Sequence, residues 1–471
     1  MSERSILKED FLKRVKIIVG SRFTDDPRIL KVYSRDFWPL LTLRESRGDE
    51  LAMPLAVAWP KTVEEVTSLI KLCNEFKIPF TPYGGGSGVT GAAPCRDCLV
   101  IDVKAMNKII ELNEEDMYVT VESGIMIKKL EEYLNSKGYT IRHIPQSFPE
   151  AVVGGLIATL STGEYSTKYG GIEDLLLDIE VVTADGGFIP LREKIVPRTS
   201  TGPNIKKLML GSEGQLGVIT KATLKIFQIP EYTSKNTFVF NSFEEALAAA
   251  REVMLLGLQP AVLRIYDKDE AALRFNEDRD LAIFIIEEWS KALLDAKESE
   301  LRMVMKKRGA LEIGEEYVDS WLKKRFDVIS DVVKLVVPLG LWFDTIETAA
   351  TWSILPKVYR EFKREVKMIK GVNSVLAHAS HFYSTGGCIY FTIVFEANEE
   401  VYWRVWEKAM DTLIKNGATI SHHHGIGLLR KKWIERELGE SLKYLKKIKR
   451  LFDPNNISNP GKFMEWESSE A

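Results

Sequence analysis

The 471-residue sequence has few cysteines, no long hydrophobic run and almost no net charge. Its four cysteines (Cys73, Cys95, Cys98 and Cys388) are too few for a disulfide framework and indicate a reducing, cytoplasmic setting. No stretch approaches the about 18 apolar residues of a membrane-spanning helix, so we expect at most a peripheral membrane contact. The net charge of −3 predicts no general attraction to nucleic acid. A small-molecule substrate is the better expectation.

Two of the cysteines form the motif CRDC, residues 95–98. This spacing suits a redox pair or half of a zinc site. A structural zinc site needs four ligands, and no second pair of ligands accompanies the motif in the sequence. We therefore expect no metal at this motif.

The pattern of hydrophobic residues divides the chain into two parts and a tail. From about residue 50 to 225, short β-branched runs alternate with amphipathic helices and glycine-rich turns. After residue 232, amphipathic helices alternate with longer strand-like runs such as CIYFTIVFEA. We predict an α+β protein with domains at 1–228 and 229–415, and a C-terminal segment, 416–471, that packs back on an earlier domain.

The glycine-rich run PYGGGSGVTG, residues 82–91, contains the pattern G-x-G-x-x-G at Gly86, Gly88 and Gly91. A Rossmann dinucleotide site needs a helix directly after this pattern, to bring its N-terminus to the pyrophosphate. Here Pro94 and a strand-like run follow instead, so the Rossmann interpretation fails. Glycines can still turn backbone N–H groups toward an anion without a helix, and the alternative is a flexible hairpin.

The order and spacing of four glycine motifs identify a resemblance over roughly residues 50–225. PYGGGSGVTG, VVGG, STKYGG and GSEGQLG resemble the FAD-binding half of the vanillyl-alcohol oxidase and p-cresol methylhydroxylase superfamily. The resemblance implies a two-subdomain FAD-binding domain followed by an α+β cap domain with an antiparallel sheet. Many relatives tether the flavin through a histidine in the first loop. Ser87 stands at that position here, so we expect non-covalent FAD.

By position, the resemblance assigns FAD contacts to Pro82, Tyr83, Gly84, Gly85, Gly86, Ser87, Gly88, Gly91, Pro149, Gly154, Gly155, Ser161, Thr162, Gly163, Glu213, Gly217 and Ile219.

The run SHHHGIG, residues 421–427, holds three of the six histidines. In an extended segment alternate side chains face opposite ways, so His422 and His424 would share a face that His423 does not. Three adjacent histidines are therefore a poor zinc tripod, and we expect no bound metal. Proton transfer is the preferred role, since imidazole titrates near neutral pH. The alternative for His422 or His423 is a hydrogen bond to buried backbone.

The second half resembles two groups of the superfamily, the D-lactate and glycolate dehydrogenases and the alkylglycerone-phosphate synthases. Several dehydrogenases hold a divalent metal with H-G-D-G-N-x-H and E-H-G motifs. Here Tyr390 falls near one ligand histidine and His423 replaces the glutamate, so a metal would fall to His381 with His422 or His424. The motifs HHHG, C-x-Y-F and DTIETAATW match the synthases, in which the histidines and the tyrosine lie beside the flavin and move protons.

Recognition of a substrate anion has three candidates. Arg264 matches an arginine that the synthases keep near the active site, and the alternative is an internal salt bridge with Asp267 or Glu347. The phosphate-binding arginine of the synthases is missing, which leaves Arg325 and Lys334 as substitutes. A lysine is a point charge, whereas an arginine can bind two oxygens.

The sequence therefore predicts an FAD-dependent dehydrogenase that oxidises a small 2-hydroxy acid, with the catalytic residues His422, His423, His424, Tyr390 and Arg264. The alternative is a redox-neutral transferase of the synthase type that exchanges an acyl ester for an alkyl ether. We also expect an unidentified electron acceptor, no nucleic acid and a homodimer. The lysine-rich run KKWIERELGESLKYLKKIKR could dock on a partner or a membrane surface, although such runs are more often solvated helix faces.

Overall fold

The computed structural model describes residues 3–466, apart from the side chains of residues 3–5, 328, 329 and 331. The outermost ends of the predicted domains, residues 1–2 and 467–471, lie outside it. Within the described residues, the N-terminal part contains a four-stranded and a five-stranded sheet, and the C-terminal part is built on one seven-stranded sheet. The predicted α+β class with an antiparallel cap sheet is confirmed.

The N-terminal part alternates short helices and strands. Its helices are α1 (Glu3–Val19), α2 (Pro27–Val32), α3 (Pro39–Ser46), α4 (Val63–Phe76), α5 (Ile127–Asn135), α6 (Val153–Ala158), α7 (Ser166–Tyr169) and α8 (Ile172–Leu175). Its strands are β1 (Phe23–Thr24), β2 (Ala56–Ala58), β3 (Phe80–Tyr83), β4 (Leu99–Asp102), β5 (Ile109–Asn113), β6 (Tyr118–Glu122), β7 (Tyr139–Thr140), β8 (Leu176–Thr183), β9 (Phe188–Ile189), β10 (Gly217–Lys225) and β11 (Phe227–Gln228).

These strands form sheets in the orders β1-β2-β4-β3 and β5-β6-β10-β8-β9, with β11 and β7 as a separate pair. In the first sheet β2, β4 and β3 run parallel, whereas the second is antiparallel. Helix α4 is capped by Thr62, whose side chain accepts the N–H of Glu65, and buries Leu69 and Ile70. Its apolar face covers the parallel strands, because β-α-β crossovers bring helices over such sheets.

The C-terminal part places helices against the large antiparallel sheet, whose order is β15-β12-β14-β13-β17-β18-β16. The strands are β12 (Tyr232–Phe240), β13 (Val262–Tyr266), β14 (Asp280–Glu288), β15 (Leu311–Ile313), β16 (Leu341–Thr351), β17 (Val372–Tyr383) and β18 (Gly386–Glu396). The helices are α9 (Phe243–Leu255), α10 (Lys268–Phe275), α11 (Lys291–Lys307), α12 (Glu316–Lys324), α13 (Val328–Val336), α14 (Leu355–Lys367), α15 (Glu399–Lys415), α16 (Ile434–Leu438) and α17 (Ser441–Phe452). Short 3-10 turns span Val103–Ala105, Ile205–Met209, Val337–Leu339 and Lys431–Trp433.

The last part of the chain crosses back to the N-terminal sheets. The buried Lys449 of α17 donates to the carbonyl oxygens of Gln215 and Ser458, each at 2.7 Å. Asn459 donates from its backbone to the carbonyl of Phe80 in β3 and from its side chain to that of Glu213. These contacts fix residues 449–459 beside the glycine-rich run.

The structure tests two expectations, one about the CRDC motif and one about membrane-spanning helices. Cys95 and Cys98 are joined as a disulfide, which the sequence analysis did not expect, and they are therefore not the free ligands of a metal site. The link spans three residues and closes no long loop, so it contributes little chain restriction. Among the described residues, no helix has the length and apolar character needed to cross a membrane.

Candidate active site

The glycine loop, residues 84–91, connects β3 and β4 without a helix, as predicted. Its residues are half-buried up to Val89 and buried at Thr90 and Gly91. Among the described residues, no backbone or side-chain acceptor takes a hydrogen bond from the N–H groups of this loop. Backbone donors that are shielded from water normally have a partner. A run of free N–H groups in a glycine-rich loop fits a phosphate or pyrophosphate.

A second predicted FAD segment, residues 149–155, packs directly on this loop. It comes so close that two positions of the loop have room only for glycine. A Cβ added to Gly85 would overlap the backbone carbonyl oxygen of Glu150, and one added to Gly84 would meet the side chain of Val152 at 2.5 Å. Pro149 lies in the turn that leads into this segment. The first and second predicted FAD motifs therefore form one continuous surface.

The remaining predicted FAD residues fall into two groups. Several are fixed by backbone packing: a Cβ on Gly154 would meet Ser123, one on Gly163 would meet the backbone of Ile144, and one on Gly217 would overlap the backbone of β8. Others lie in or next to the glycine loop, in α6 and the turn after it, or in β10, as Ile219 does; the rest are Pro82, Tyr83, Gly86, Ser87, Gly88, Gly91, Gly155, Ser161 and Thr162. Tyr83 and Gly86 are in contact, since a Cβ on Gly86 would overlap the Tyr83 hydroxyl.

The histidine segment, residues 421–427, is wrapped around the carboxylate of Glu347 from β16. The backbone N–H groups of His422, His423 and His424 all donate to Oε1 of Glu347, at 3.1, 3.2 and 2.9 Å. Successive N–H groups converge on one anion only when the backbone curves into a nest. The prediction that these side chains alternate between two faces is therefore wrong, because the segment is not extended.

A second carboxylate holds the other end of the same segment. Glu213, which precedes β10, accepts the backbone N–H of Ile426 at 2.5 Å and that of Gly427 at 2.9 Å. Leu428 also donates its N–H to the carbonyl of Thr90 in the glycine loop, at 3.0 Å. Glu213 was predicted to contact FAD, but its carboxylate oxygens are taken by backbone donors of the histidine segment. The contact brings the glycine loop and the histidines to one site.

The charge of Glu347 is balanced by Arg430. The two side chains are fully buried, and Nη2 of Arg430 pairs with Oε2 of Glu347. Nη1 of Arg430 also donates to the carbonyl of Gly425 at 2.7 Å, which ties it to the histidine segment. Burial by itself would raise the pKa of Glu347, but Arg430 and His424 outweigh it and hold the pKa well below its usual value. Glu347 is therefore a carboxylate at neutral pH.

The side chains of the histidine segment meet two tyrosines and a histidine of the cap sheet. Nε2 of His422 lies 2.7 Å from the Tyr383 hydroxyl, and Nδ1 of His422 lies 2.9 Å from Nδ1 of His423. The Tyr390 hydroxyl lies between Nε2 of His423, at 3.2 Å, and Nε2 of His381, at 2.6 Å. The alternative that His422 or His423 bonds its ring to buried backbone is therefore wrong.

His381 reaches Tyr390 because β17 is distorted at this residue. Its φ is +52°, in the left-handed region that is uncommon for a residue other than glycine, and the pairing of β17 with β18 is irregular between Ser380 and Tyr383. Nδ1 of His381 lies 2.7 Å from the hydroxyl of Ser166. Strained backbone of this kind is concentrated at functional sites. Both ring nitrogens of His381 thus have hydrogen-bond partners. Neither is free to bind a metal, which was the role considered for His381 from the sequence.

Burial sets the protonation of this cluster. It lowers the pKa of His422 to about 4 and the pKa of His423 and His381 well below their usual value. It also raises the pKa of Tyr390 well above its usual value, with a further contribution from Cys388. The three imidazoles and the phenol are therefore neutral at pH 7, so they exchange hydrogen bonds without carrying charge.

His424 stands apart from the other two histidines. Its Nδ1 lies 3.2 Å from Oε2 of Glu347, although the ring N–H does not point straight at the oxygen and the contact is chiefly electrostatic. Within the described residues, no protein group hydrogen-bonds to its Nε2. An imidazole with one nitrogen close to a carboxylate and the other open to the site is suited to act as a general base.

Two arginines of the cap lie at the Trp321 ring, and one of them faces a carboxylate from the FAD-binding part. Arg264 donates to the Tyr266 hydroxyl at 2.8 Å, and its guanidinium lies 5.6 Å from the centre of the Trp321 ring. Arg325 lies 5.4 Å from the same ring and 3.4 Å from a carboxylate oxygen of Glu164. Arg264 and Arg325 carry two positive charges and Glu164 carries one negative charge. One positive charge therefore remains to bind an anionic substrate group.

The salt bridges considered for Arg264 do not form. Asp267 pairs with Lys363, and Glu347 pairs with Arg430. Among the described residues, no carboxylate lies within salt-bridge distance of Arg264. Arg264 is close enough to Tyr390 for each to affect the other's pKa: Tyr390 raises the pKa of Arg264, and Arg264 opposes the rise in the pKa of Tyr390. Lys334, the third candidate for an anion site, is exposed on α13 and is not part of the buried cluster. Arg264 and Arg325 are the two candidates that remain, and the charge of Arg264 acts on His381 and Tyr390 of the cluster.

Sequence reasoning missed several residues of the site. Arg430, Ser166 and Tyr383 were not proposed, and Glu347 was considered only as a partner for Arg264. The one available signal was the arginine in LLRKKW, a charge next to an apolar run that needs a buried partner. Glu347, which lies in an alternating strand pattern, could not be assigned to the histidine segment without the sheet register.

Two family models match the chain in succession. The FAD binding domain matches residues 54–191, and the C-terminal domain of FAD linked oxidases matches residues 229–463. The first match covers the glycine loop and the segment that packs on it. The second covers Glu347, the histidine segment and the large sheet.

Relatives with known names match over most of the chain. The alkyldihydroxyacetonephosphate synthase of Caenorhabditis elegans is 31% identical, over 95% of this chain and 81% of the relative. The uncharacterized FAD-linked oxidoreductase YgcU of Escherichia coli (strain K12) is 30% identical, over 98% of this chain and 95% of the relative. The mitochondrial cytochrome D-lactate dehydrogenase of Arabidopsis thaliana is 27% identical, over 88% of this chain and 74% of the relative.

Solved structures give the same fold. An alkyldihydroxyacetonephosphate synthase superposes with a TM-score of 0.82 at 26% identity, covering 96% of this chain and 86% of the other. Substrate-bound p-cresol methylhydroxylase superposes with a TM-score of 0.79, covering 99% of this chain and 98% of the other. At 18% identity the second comparison concerns the fold alone. The free donors of the glycine loop lie in the part that matches the FAD-binding model.

Proposed function

Because the chain belongs to the FAD-linked oxidases and FAD is its cofactor, we propose that it oxidises a small 2-hydroxy acid to the 2-oxo acid. The observation that supports this reaction most is the position of His424, which lies beside Glu347 with its Nε2 open and close to Tyr390, a residue on which the positive charge of Arg264 acts. A hydroxy acid needs these two groups, a base for its hydroxyl and a cation for its carboxylate.

Each residue has one task in this proposal. Arg264, supported by Arg325, binds the substrate carboxylate. Nε2 of His424 accepts the hydroxyl proton, and the carboxylate of Glu347 stabilises the imidazolium that results. The glycine loop and the segment packed on it would hold FAD, which would supply the acceptor for the C2 hydrogen and its two bonding electrons. The products are the 2-oxo acid, a proton on His424 and the reduced cofactor, which a separate electron acceptor reoxidises.

Tyr390 supports the substrate oxygen rather than the proton transfer. Its hydroxyl is held between His381 and His423, and burial keeps it protonated. A neutral phenol in this position can donate to an oxygen on which negative charge develops. His422 and His423 do not take part in the step, which differs from the wider catalytic set that the sequence suggested.

The glycine loop is proposed to hold the pyrophosphate of FAD through its free N–H groups. Ser87 stands where many relatives carry a tethering histidine, so the cofactor should dissociate when the protein unfolds. Precipitation with acid, followed by absorbance of the supernatant, tests this directly. Flavin that stays in the pellet would contradict non-covalent binding.

A second reaction, the redox-neutral exchange of the synthases, is supported by the higher identity to the alkyldihydroxyacetonephosphate synthase than to the D-lactate dehydrogenase. The neutral Tyr390 and histidines also suit such chemistry. Against it stands the missing phosphate arginine, for which α13 offers Lys334 on its exposed face. We therefore rank it second.

The test is the flavin absorbance of the purified, oxygen-free protein during addition of D- and L-2-hydroxy acids, one at a time. Bleaching by one enantiomer, and none by its uncharged 2-hydroxy amide, is the expected result. If dithionite bleaches the flavin and no hydroxy acid does, the dehydrogenase proposal fails. Formation of alkyl-dihydroxyacetone phosphate from acyl-dihydroxyacetone phosphate and a fatty alcohol would then establish the second reaction.

A further inference from the structure

Hydrogen bonds join six side chains of the site into one continuous chain. From the surface inward, its members are Tyr383, His422, His423, Tyr390, His381 and Ser166. Each histidine in it uses both ring nitrogens, one for each neighbour. We propose that the outer part of the chain, from Tyr390 through His423 and His422 to Tyr383, is a relay that carries protons between the active site and solvent.

The contact between Nδ1 of His422 and Nδ1 of His423, at 2.9 Å, links the tautomers of the two rings. A neutral imidazole carries one ring proton, so one Nδ1 donates and the other accepts. Whichever ring has its proton on Nδ1, the other ring has its proton on Nε2. The relay therefore has two complete orders of protons. In one order every donor points outward to Tyr383, and in the other every donor points inward to Tyr390.

The change from the outward to the inward order moves one proton out of the site. The phenol proton of Tyr390 passes to Nε2 of His423, and the Nδ1 proton of His423 passes to Nδ1 of His422. The Nε2 proton of His422 then passes to the oxygen of Tyr383, which releases its own proton to water. A proton from the site replaces the one that Tyr390 gave up. Each ring has the same charge before and after the transfer.

The burial of these groups favours transfer along the whole relay in one event. Burial lowers the pKa of His422 to about 4 and the pKa of His423 well below its usual value. It raises the pKa of the Tyr383 and Tyr390 phenols. An imidazolium or a phenolate within the relay is therefore unfavourable, so a proton that arrives at one ring is passed on.

The two ends of the hydrogen-bonded chain differ in their access to solvent. Ser166, at the inner end, is 6% exposed, whereas Tyr383 is 40% exposed. Tyr383 lines an open groove of about 520 Å³ together with small residues such as Gly386 and Gly387. Water and small buffer molecules have room in this groove. Within the part of the chain that the structure describes, the relay therefore opens to solvent at Tyr383.

This inference rests on the proposed oxidation for the source of the proton. In that reaction the substrate oxygen contacts both His424 and Tyr390, whose ring centres lie 6.3 Å apart. The relay thus begins beside the group that accepts the hydroxyl proton. His422 and His423, which take no part in the oxidation step, act after it by returning the site to its starting protonation.

The first experiment uses no substrate, so it tests the relay independently of the proposed oxidation. The chain has six histidines, which keeps the NMR spectrum of the FAD-loaded protein with ¹⁵N-labelled histidine simple. Tyr383→Phe removes the outer link of the relay. We expect the ring N–H proton of His423 to exchange with water about tenfold more slowly in this variant than in the unchanged protein.

Tyr444→Phe is the matched control, because it makes the same substitution at an exposed tyrosine of α17. Its His423 proton should exchange at the rate of the unchanged protein. Equal exchange of the His423 proton in Tyr383→Phe and in the unchanged protein would overturn the relay.

The second experiment measures turnover in weakly buffered solution, with the hydroxy acid that bleaches the flavin and a dye as electron acceptor. Tyr383→Phe should lower kcat about threefold and leave KM for the hydroxy acid unchanged, since proton release follows the oxidation step. Addition of imidazole, which accepts a proton in the groove, should restore kcat. A kcat equal to that of the unchanged protein, or a lowered kcat that imidazole does not restore, would contradict the relay.

Discussion

Glu347 and Glu213 hold the two ends of the histidine segment from opposite parts of the molecule. Glu347 belongs to the cap sheet and accepts three backbone N–H groups, whereas Glu213 belongs to the FAD-binding part and accepts two. Arg430 neutralises Glu347 and its pKa is lowered. Burial raises the pKa of Glu213, and the N–H groups of Ile426 and Gly427 only partly oppose this.

The difference shows how one segment can be fixed by two kinds of contact. The cap end depends on a buried ion pair, in which the loss of one charge leaves the other unpaired. The FAD end depends on hydrogen bonds from neutral donors, whose loss costs less. We infer that the cap end governs the stability of the site and the FAD end governs its alignment with the glycine loop.

The largest effect should follow from Glu347→Gln. The substitution leaves the buried charge of Arg430 without a partner, which typically costs about 3–5 kcal/mol. We expect a corresponding loss in the free energy of unfolding, measured with denaturant, and loss of flavin reduction. The double variant Glu347→Gln with Arg430→Gln removes both charges and should recover part of the stability. Equal destabilisation by the single and double variants would contradict the ion-pair account.

Glu213→Gln is the matched change at the other end and should have a smaller effect. The amide oxygen can still accept one N–H of the segment, and no buried cation loses its only partner. We expect a loss of about 1–2 kcal/mol in the same denaturant measurement. If Glu213→Gln destabilises the protein as much as Glu347→Gln, the two ends are not distinct in the way proposed.

Gly85→Ala tests the FAD side without changing a charge. The new Cβ would overlap the carbonyl oxygen of Glu150, so the glycine loop and the segment packed on it must move apart. We expect FAD affinity to fall at least tenfold, about 1.4 kcal/mol, in a fluorescence titration of the protein without cofactor. Gly257→Ala is the control, because its Cβ would meet nothing within 4 Å. It should lower stability slightly and leave FAD affinity unchanged.

Lys447→Glu should have the smallest effect on the site, since Lys447 is exposed on α17 and its side chain lies over the ring of Tyr444 on the same helix. Its thermal midpoint and flavin reduction should match those of the unchanged protein. The same variant tests the predicted peripheral membrane contact. Sedimentation with anionic vesicles at low salt should decrease if α17 docks on lipid. Equal sedimentation of both proteins would remove that contact from consideration.

The fold class was accessible from the sequence because hydrophobic periodicity is a local pattern. The FAD-binding part was accessible only because its glycine motifs resemble, in order and spacing, those of a known superfamily. The failure of the Rossmann pattern at residues 86–91 was also predictable, since Pro94 and a strand follow where a helix is required.

The geometry of the histidines was not accessible, because it depends on contacts between distant residues. The alternation rule for His422, His423 and His424 assumed an extended backbone, whereas Glu347 curves the segment around its carboxylate. Nothing local in the sequence pairs Glu347 with Arg430, which lies 83 residues further along the chain. Glu213 was recognised as important from its motif, but its contact with the histidine segment depends on the docking of the two parts.

The role of His424 as the base for the substrate hydroxyl is tested by the rate of flavin bleaching in His424→Asn, mixed without oxygen with the hydroxy acid that bleaches the unchanged protein. We expect a rate lower by about 10²–10⁴, with FAD still bound and dithionite reduction unchanged. If His424→Asn bleaches at the rate of the unchanged protein, His424 is not the base.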